Sequence, residues 1–584
     1  MSAWLAVLAI SLTVVAALAI GAFGTRLSRT TSDFYVASRS VSPWLNASAI
    51  GGEYLSAASF LGVAGLILAY GVDMLWYPVG YTVGYLLLLV LVAAPLRRSG
   101  AYTVPDFAEG RLQSTTTRLV ATALVVLIGW LYLVPQMQGA GLTLRTVVGT
   151  PPWVGIVVVG VVVLAAVAGG GMRSITLVQA FQFWLKLFAI VLPVFFLVAA
   201  WRADGAPEVV SDTPPVFAER TTVTVGSDVE VRVDQAVTVD VDGVLDGDVV
   251  DGRVRLLPGE YAVGQGSELV FPAEAAVPTV TSLPTLSGQA WAAPMESGLD
   301  LPLYRTYALM LALFFGTMGL PHVLVRFYTN PDGRAARRTT LTVLGLVGIF
   351  YLAPPIYGIL GRLYTPELLL TGRTDAVVLT LPTALVDGVA GQMLGAVVAA
   401  GAFAAFLSTS SGLVVSVAGV LSQDVLGPRV TSPVRAFRVA TTVAVLVPML
   451  LALAGQRLGI ASIVGLAFAV AASSFCPLLL LGIWWPRLTA VGATAGLVVG
   501  GGLAGAAVLV TILAGPTEGW VGALLAQPAA WSMPLAFGTM VVGSLLTARR
   551  VPAGVTRIMV RLHTPESLDL DRGANLTRRG GRWP

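Results

Sequence analysis

The chain alternates between long apolar stretches and short polar loops over most of its 584 residues. A helix needs about 20 apolar residues to cross a bilayer, so each long stretch predicts a membrane span. The first stretch is followed, not preceded, by basic residues (Arg26 and Arg29), which is typical of a retained helix rather than a cleaved signal peptide. The thirteen predicted spans are residues 3–23, 42–70, 76–96, 117–147, 152–169, 174–201, 303–322, 340–360, 389–422, 436–455, 459–485, 488–513 and 531–548.

One segment follows a different pattern. Apolar and polar residues alternate over residues 222–242, and three Asp-Gly pairs begin at Asp242, Asp246 and Asp251. A period of two with Val and Thr predicts half-buried strands, and Asp-Gly pairs are typical of hairpin turns. We interpret residues 202–300 as a small, solvated, β-rich insert. Calcium binding by its Asp-Gly turns is the alternative, although the spacing is not that of an EF-hand.

The insert divides the chain into four parts. Spans 1–6 lie in residues 1–201 and spans 7–13 in residues 301–548, on either side of the insert, and an Arg-rich tail covers residues 549–584. A tail of this length is too short for an enzymatic output domain.

The composition supports a membrane protein. Hydrophobic residues make up 56% of the chain and charged residues 11%, and the mean hydropathy is +0.82. Soluble proteins carry about 25% charged residues, so a soluble enzyme, a nucleic-acid binder and a disordered chain are excluded. One cysteine and two histidines provide neither a disulfide framework nor a ligand set for a transition metal.

The net charge of +4 combines two opposite regions. The insert holds 17 of the 31 acidic residues and 5 of the 35 basic residues, a net of −12, and the rest of the chain has a net of +16. Basic residues fall in alternate loops between the thirteen spans and in the tail. By the positive-inside rule these loops are cytoplasmic. We therefore expect a multi-pass protein of the bacterial plasma membrane, with the N-terminus and the insert outside and the C-terminus in the cytoplasm.

Two spans contain sequences that break helices. The second span contains Gly51-Gly52-Glu53, and the seventh contains Gly316 and ends at Pro321-His322. Secondary transporters built from inverted repeats expose backbone groups at such breaks near the membrane midplane. The two breaks are five spans apart, which is the offset expected if spans 2–6 and 7–11 are two five-helix repeats.

The ninth span contains a polar helix face. Ala405, Ser408 and Thr409 are spaced i, i+3 and i+4, which places one carbonyl and two hydroxyls together. Hard oxygen ligands without a cage of carboxylates suit Na⁺ better than Mg²⁺ or a transition metal. The alternative is that these hydroxyls bond to their own helix or pack between helices.

Seven sequence blocks resemble the sodium/solute symporters, and within them the bacterial cation/acetate (monocarboxylate) symporters. The resemblance covers most of the chain outside the insert and the tail. The blocks are SDFYVASRSVSPW at 32–44, GEYLSAASFLG at 52–62, YLVPQMQGAG at 132–141, GGMRSITLVQ at 170–179, GLPHVLVRFYT at 319–329, LSTSSGLVVSVAGVLSQD at 407–424 and AFAVAASSFCPLLLLGIWW at 467–485. The resemblance implies an all-α polytopic membrane protein with a leucine-transporter-like inverted-repeat fold, in which spans 2–11 are the core.

The resemblance also implies a cation site. The family's common sodium site takes two carbonyls from the break of the first core helix and further ligands from the eighth. In this sequence the matching groups are the carbonyls of Gly52, Leu55 and Ala405 and the hydroxyls of Ser408 and Thr409. Relatives that move a second Na⁺ have an aspartate where this chain has Gln179. We therefore expect one transported cation per cycle, Na⁺ or H⁺, and no other cofactor.

Two ionisable residues fall in the middle of predicted spans, Glu53 and Lys186. Ionisable residues at this depth are expensive and mark candidate functional sites. One interpretation is that Lys186 attracts a substrate carboxylate. The other is a structural ion pair between Lys186 and Glu53.

The remaining candidates are polar or small residues near the breaks. Ser59, Gln136 and Gly316 complete the predicted substrate-binding set with Glu53 and Lys186. Gln136, together with Tyr132 and Gln138, lines a pocket or forms a polar seam between helices. We expect His322 to be a hydrogen-bonded structural cap rather than a proton relay, and Cys476 to be a packing residue.

The predicted function is secondary active symport. A small carboxylate such as acetate enters with a monovalent cation by alternating access. A symporter of the same family for proline, a sugar or urea, and a membrane sensor that uses the insert, are the alternatives. An enzyme has no support, because no paired nucleophile and base is found in the spans.

Overall fold

The computed structural model of the chain is predominantly helical and carries one β-sheet. It describes residues 3–25, 40–296, 300–427, 429–430, 432–454, 459–515 and 519–568. Arg26, Arg29 and residues 569–584 of the Arg-rich tail lie outside these ranges. The helices before the sheet are α1 (Ala3–Thr25), α2 (Pro43–Tyr54), α3 (Val63–Tyr70), α4 (Trp76–Leu91), α5 (Ala93–Ser99), α6 (Val104–Leu112), α7 (Thr115–Val148) and α8 (Pro152–Ala203).

The second group of helices follows the sheet in the chain. It comprises α9 (Gly288–Ala292), α10 (Pro302–Gly319), α11 (Pro321–Phe327), α12 (Gly333–Phe350), α13 (Pro354–Tyr364), α14 (Glu367–Leu370), α15 (Val377–Leu385), α16 (Gly388–Val420), α17 (Pro433–Leu453), α18 (Ile460–Trp484), α19 (Ala490–Gly496), α20 (Gly502–Ala514), α21 (Gly519–Ala526), α22 (Ala529–Leu546) and α23 (Val555–His563).

Among the described residues, 11 helical segments are long and apolar enough to cross a membrane, or up to 12 if the bent pair α10 and α11 is one span. This division differs from the thirteen predicted spans. The sequence separates residues 42–70 from 76–96, whereas the structure joins Ala58–Leu91 into one apolar segment that α2 precedes. The chain is therefore a polytopic helical membrane protein with about 11–12 apolar helices.

Helix α8 is long enough to hold two spans. Its 52 residues would extend about 78 Å as a straight helix, more than twice the thickness of a hydrocarbon core. The apolar segments within it are Pro152–Gly169 and Met172–Ala203, close to the two spans predicted there. The second segment carries Lys186.

The first predicted break lies directly after α2. The helix ends at Tyr54, Leu55 leaves the helical region with φ −73° and ψ 89°, and a π-helical turn at Ala58–Gly62 begins the continuation into α3. The N–H of Leu55 still donates to the carbonyl of Gly51 at 3.1 Å, but the break leaves the carbonyls of Gly52 and Leu55 and the N–H of Ala57 without hydrogen bonds along a helix. Those groups are available to side chains from other helices.

The second break separates α10 from α11, which are bent by 42° relative to each other. Leu320 is extended, with φ −71° and ψ 113°, and Pro321 starts the new helix. Proline lacks an N–H and cannot continue the helix before it, but it is well suited to a first helical position. Both helix-breaking sequences therefore form breaks in the structure.

The insert contains a seven-stranded antiparallel sheet with the strand order β1-β6-β3-β5-β2-β7, and β4 pairs with β3. Its inward-facing valines, including Val223, Val231 and Val239, are nearly fully buried. The strands are β1 (Thr221–Thr224), β2 (Val229–Val233), β3 (Val237–Leu245), β4 (Asp248–Leu256), β5 (Gly259–Val263), β6 (Glu268–Phe271) and β7 (Thr279–Val280).

The Asp-Gly pairs do not all form turns, as the sequence had suggested. Asp246 and Gly247 connect β3 to β4, and Gly247 has the positive φ of +90° that this turn requires. Asp242 and Asp251 instead lie opposite each other within the β3–β4 ladder. The prediction of three turns was wrong because long paired strands satisfy the backbone of the other two pairs.

The chain that returns from the sheet to the helices packs against the end of α3. The indole N–H of Trp291 in α9 donates to the carbonyls of Ile67 (2.8 Å) and Leu68 (3.2 Å). Arg362 of α13 lies over the Trp291 ring at 5.1 Å and donates to the carbonyl of Leu286 at 2.6 Å. These contacts attach the insert to the first broken span.

Candidate functional site

Three of the predicted cation ligands surround one atom in the structure. The carbonyl oxygens of Gly52 and Leu55 are each 2.5 Å from Nζ of Lys186, and the hydroxyl of Ser408 is 3.0 Å from it. The carbonyls come from the break after α2, the hydroxyl from α16 and the lysine from α8. The ammonium of Lys186 therefore occupies the position at which the sequence predicts a bound cation.

The other two predicted ligands lie beside this point. Ser408 Oγ also donates to the carbonyl of Ala405 at 3.1 Å. Thr409 Oγ1 donates to the carbonyl of Glu53 at 2.7 Å. Three of the five predicted ligands, those of Gly52, Leu55 and Ser408, are therefore hydrogen-bonded to Lys186. Ala405 is bonded to Ser408, and Thr409 is bonded to the carbonyl of Glu53, the residue that follows Gly52. The sequence reasoning did not place Lys186 among them.

Glu53 does not pair with Lys186. Its Oε2 accepts from Nε of Arg326 at 2.7 Å, and both side chains are 1% exposed. The alternative of a Lys186–Glu53 ion pair is wrong for this arrangement, because α11 brings Arg326 to the carboxylate. Arg326 falls between the predicted spans 303–322 and 340–360, in a loop expected to be cytoplasmic. Its position five residues after Pro321, on the helix that follows the break, is the signal that could have placed it in the core.

Gln179 connects the two basic side chains. Its Nε2 donates to the carbonyl of Ser408 at 2.8 Å, and its Oε1 accepts from the guanidinium of Arg326. Arg326 also donates to the hydroxyl of Thr176 at 2.8 Å. The position at which relatives with a second sodium ion have an aspartate is therefore in contact with a guanidinium. The polar network continues from Lys186 through Ser408 and Gln179 to Arg326.

The other substrate candidates lie on the opposite side of the break and have partners of their own. Gln136 Oε1 accepts from the N–H of Ala57 at 2.8 Å, which satisfies a backbone donor that the break leaves free. Ser59 Oγ is 2.7 Å from the hydroxyl of Tyr351. Gly316 has no room for a side chain, since a Cβ there would contact the backbone of Phe468. Gly316 therefore contributes close packing between α10 and α18.

A cluster of aromatic residues next to the break was not predicted. The ring of Tyr54 meets that of Tyr85 edge to face at 4.7 Å, and Tyr81 stacks with Tyr351 at 5.6 Å. The hydroxyls of Tyr81 and Tyr85 are buried and have no hydrogen-bond partner among the described residues. The repeated tyrosines of α4, at four-residue spacing on one helix face, are the signal that could have indicated this cluster.

His322 is not a hydrogen-bonded cap. Its side chain is fully buried, and neither ring nitrogen has a hydrogen-bond partner among the described residues. The ring stands edge-on to Tyr132 with 5.2 Å between centroids. Tyr132 donates to Ser56 Oγ at 3.3 Å. The expectation of a capping role for His322 was therefore wrong, since its ring packs against Tyr132 and neither nitrogen reaches a hydrogen-bond partner among the described residues. Cys476 is fully buried in the apolar core, as expected of a packing residue.

The site is closed on all sides in this structure. Lys186, Ser408 and Thr409 have no exposed surface, and Tyr351 is 5% exposed. In a dry environment each polar contact is stronger than in water, and each unpaired charge is more costly. Within the described ranges no group of three or more His, Cys, Asp or Glu residues could hold a metal ion, which includes the Asp-Gly pairs of the insert.

Known proteins share both the sequence and the fold. A model of the sodium:solute symporter family matches residues 34–227 and 262–500. The chain is 30% identical to the uncharacterized symporter YwcA of Bacillus subtilis (strain 168), over 93% of this chain and 94% of that protein. It is 29% identical to the uncharacterized symporter H16_A2524 of Cupriavidus necator (strain H16), over 89% and 88% of the two chains.

Solved structures give the fold. A Na⁺-coupled sialic acid symporter in a substrate-bound outward-open state matches with a TM-score of 0.61 and 15% identity, over 93% of this chain and 97% of that chain. The nucleobase-cation-symport-1 family transporter MHP1, in a closed conformation, matches with a TM-score of 0.51 and 14% identity, over 91% and 99%.

The family match spans both groups of helices, and the relatives and the matched structures are transporters rather than enzymes. The broken helices and the polar contacts between α2, α8 and α16 lie within the matched ranges. This chain is a member of the sodium:solute symporter family.

Proposed function

We propose that this protein imports a small monocarboxylate such as acetate together with a monovalent cation, Na⁺ or H⁺, by alternating access. The proposal includes the thirteen-span topology, with the N-terminus and the β-rich insert outside the cell and the C-terminus in the cytoplasm. The bilayer, the carboxylate and the cation are its partners, and no further cofactor takes part.

The observation that carries the proposal is a fully buried basic side chain, Lys186, that has no carboxylate partner among the described residues. Arg326 and Glu53 neutralise each other at 2.7 Å, which leaves the ammonium of Lys186 without a carboxylate within 4 Å among the described residues. Burial of an uncompensated charge costs several kcal/mol, and an anionic ligand removes that cost. A neutral sugar or urea would leave the imbalance as it is, and a zwitterion such as proline brings a second cation.

The polar groups next to the break supply the remaining contacts of a small substrate. Ser59 and Tyr351 provide hydroxyls, and Gln136 provides an amide beside the N–H of Ala57. Their mutual hydrogen bonds could be exchanged for bonds to a carboxylate with little loss, because hydroxyls and amides both donate and accept. Aromatic side chains on the same side fit the short apolar part of such a substrate.

The proposed cycle links cation and substrate through the first broken span. A cation held between the carbonyls of α2 and the hydroxyls of α16 joins two helices that must separate when the site opens inward. One monovalent cation and one monocarboxylate carry no net charge together. The concentration gradient of the cation, rather than the membrane potential, would then drive uptake, since the potential acts only on net charge.

Reconstituted uptake tests the proposal directly. We expect purified protein in liposomes to accumulate labelled acetate or pyruvate above the level of protein-free liposomes when an inward cation gradient is imposed. Uptake of labelled proline, glucose and urea is measured in the same way, because these compounds represent the alternative substrate classes. Uptake of one of these in place of every carboxylate would contradict the proposed substrate class, and transport of none of the compounds would contradict the proposed importer.

A further inference from the structure

The position that the sequence assigns to a free cation is filled by a side chain of the protein itself. The ammonium of Lys186 takes both break carbonyls, those of Gly52 and Leu55, and the hydroxyl of Ser408. Each is a neutral oxygen ligand that would also suit Na⁺. A lysine ammonium has three N–H donors, and these three acceptors account for all of them.

A sodium ion and this ammonium cannot share the site. Two positive charges separated by less than the length of a hydrogen bond repel each other strongly in a buried environment. The nearby carboxylate of Glu53 does not offset a second cation, because Arg326 already neutralises it at 2.7 Å. The position at which relatives with a second sodium ion have an aspartate, here Gln179, is in contact with the Arg326 guanidinium. Protein cations thus lie at both positions.

We propose that the Lys186 ammonium replaces Na⁺ in this transporter, and that the proton carried on its amine is the coupling ion. The inference rests on the proposed symport function and names its cation. When the site faces outward, the neutral amine takes a proton from an external hydronium ion: one O–H bond of the hydronium breaks, its electron pair stays on oxygen to leave water, and the Nζ lone pair forms the N–H bond. The ammonium then bonds to α2 and α16 as a bound Na⁺ would, and its charge balances the carboxylate.

Release follows by the reverse step on the cytoplasmic side. The substrate leaves, one N–H bond of the ammonium breaks, the electron pair stays on Nζ, and water takes the proton. The neutral amine can donate only two hydrogen bonds, so the tie between α2 and α16 weakens. One proton and one carboxylate anion cross together in each cycle, and no net charge moves.

Few ionisable groups surround Lys186. Helices α1, α15 and α16 carry none in their described sequences. The ionisable side chains that are buried near the break on other neighbouring elements are Glu53 and Tyr54 of α2, Tyr81 and Tyr85 of α4, Tyr132 of α7, His322 and Arg326 of α11, Tyr351 after α12 and Tyr357 of α13. Of these, Glu53 and Arg326 are paired, and Tyr357 donates to the carbonyl of Ile190 at 3.1 Å. Lys186 is therefore the residue whose gain or loss of a proton would change the hydrogen bonds that link α2 to α16.

A substrate-free measurement tests the site itself. Binding of ²²Na⁺ to the purified full-length protein is compared with binding to the Lys186→Ala variant at constant ionic strength with choline. We expect no saturable ²²Na⁺ binding to the wild-type protein and saturable binding to the Lys186→Ala variant. The double variant Lys186→Ala/Thr409→Ala should lose that saturable binding. Saturable ²²Na⁺ binding to the wild-type protein that Ser408→Ala abolishes would overturn the proposal.

A flux measurement tests the coupling ion. In Na⁺-free liposomes we expect an inward gradient of one pH unit to raise accumulation of labelled pyruvate by up to about tenfold over protein-free liposomes, the limit for one proton per anion. An added inward Na⁺ gradient should change this less than twofold. Lys186→Met should abolish accumulation driven by the proton gradient, whereas Ser410→Ala, which lies on the same helix as Ser408, should retain it. Accumulation that requires Na⁺ would overturn the inference.

A matched pair of serines controls for general damage to α16. Ser408→Ala removes one acceptor of the Lys186 ammonium, whereas Ser410→Ala removes a buried hydroxyl that has no hydrogen-bond partner in the described structure. We expect only Ser408→Ala to shift the pH dependence of uptake. If no carboxylate is transported under any gradient, the proposed function fails, but the ²²Na⁺ comparison still decides the role of Lys186.

Discussion

At the scale of single residues, the pair of Glu53 and Arg326 shows how closely charges are balanced in this core. The two side chains are 273 positions apart in the sequence, 2.7 Å apart in space and 1% exposed. Removal of one partner from such a pair leaves an uncompensated buried charge, whereas removal of both can be nearly neutral. The stability of the folded protein therefore depends more on both charged side chains being present together than on the electrostatic attraction between them.

We therefore expect Glu53→Gln to destabilise the protein by about 3–5 kcal/mol, because Arg326 stays charged and loses its carboxylate. The double variant Glu53→Gln/Arg326→Met should regain a large part of that loss. The melting temperatures of the purified proteins in detergent measure both effects. A double variant no more stable than the sum of the two single changes would show that the pair is not energetically coupled.

A glycine of α16 provides a second test at this scale. A Cβ on Gly412 would collide with the carboxyl group of Glu53, which Arg326 holds in place, whereas a Cβ on Gly419 of the same helix meets nothing within 4 Å. We expect Gly412→Ala to cost about 1–3 kcal/mol by overpacking. Gly419→Ala should be neutral or stabilising, since alanine favours a helix by up to about 1 kcal/mol. Equal melting temperatures for the two variants would contradict the close packing.

At the scale of elements, breaks and caps decide which helices can interact. The break after α2 exposes the carbonyls that Lys186 takes, and Gln136 of α7 satisfies the N–H of Ala57 on its far side. At the other end of this span, Trp291 from the insert satisfies the last carbonyls of α3. Three separate elements thus supply hydrogen bonds to the broken span, and the carbonyl of Ile67 accepts from the N–H of Gly71 as well as from Trp291.

The Trp291 contact predicts a specific role for the insert. Trp291→Phe keeps a ring under Arg362 but leaves the carbonyls of Ile67 and Leu68 without this donor, so we expect a loss of about 1–3 kcal/mol. Trp520 is 67% exposed, and Trp520→Phe should change stability by no more than about 0.5 kcal/mol. Thermal unfolding of both variants tests this, and an unchanged Trp291→Phe protein would argue against the cap.

At the scale of the whole molecule, the separation of charge predicts orientation. The acidic insert and the basic remainder of the chain carry net charges of −12 and +16. Arginines in short loops resist translocation, while a folded acidic domain crosses largely regardless of its charge. The thirteen-span proposal places the insert outside and residues after Arg549 inside.

Cysteine labelling tests that orientation. Cys476 is fully buried, so Cys476→Ala gives a background in which a new cysteine is the reactive one. In intact cells we expect a membrane-impermeant maleimide to label Asp251→Cys in the exposed β4 strand, and to label Arg550→Cys only after permeabilisation. The reverse pattern would invert the proposed topology.

Much of this architecture could be predicted from local patterns. The apolar stretches predicted a polytopic helical protein, the period-two valines coincide with strands, and the glycine and proline clusters marked both breaks. The thirteen-span count differs from the 11 or 12 apolar segments of the described residues because Ala58–Leu91 counts there as one segment, although α3 ends at Tyr70, Gly71 has a φ of +79° and α4 begins at Trp76. The role assigned to two of the Asp-Gly pairs failed because a turn signal can be overridden by strand pairing.

The sequence by itself determined the membrane class and the broken spans, because hydrophobicity and helix breaking depend on neighbouring residues, and the oxygen ligands of the cation site remain its prediction. Only the tertiary structure decided what meets those ligands. Lys186 donates to the carbonyl of Gly52, which is 134 positions away in the sequence, and Arg326 rather than Lys186 forms the ion pair with Glu53. Two basic residues compete for one carboxylate, and the packing of α8 and α11 against α2 settles which of them remains available to replace a cation.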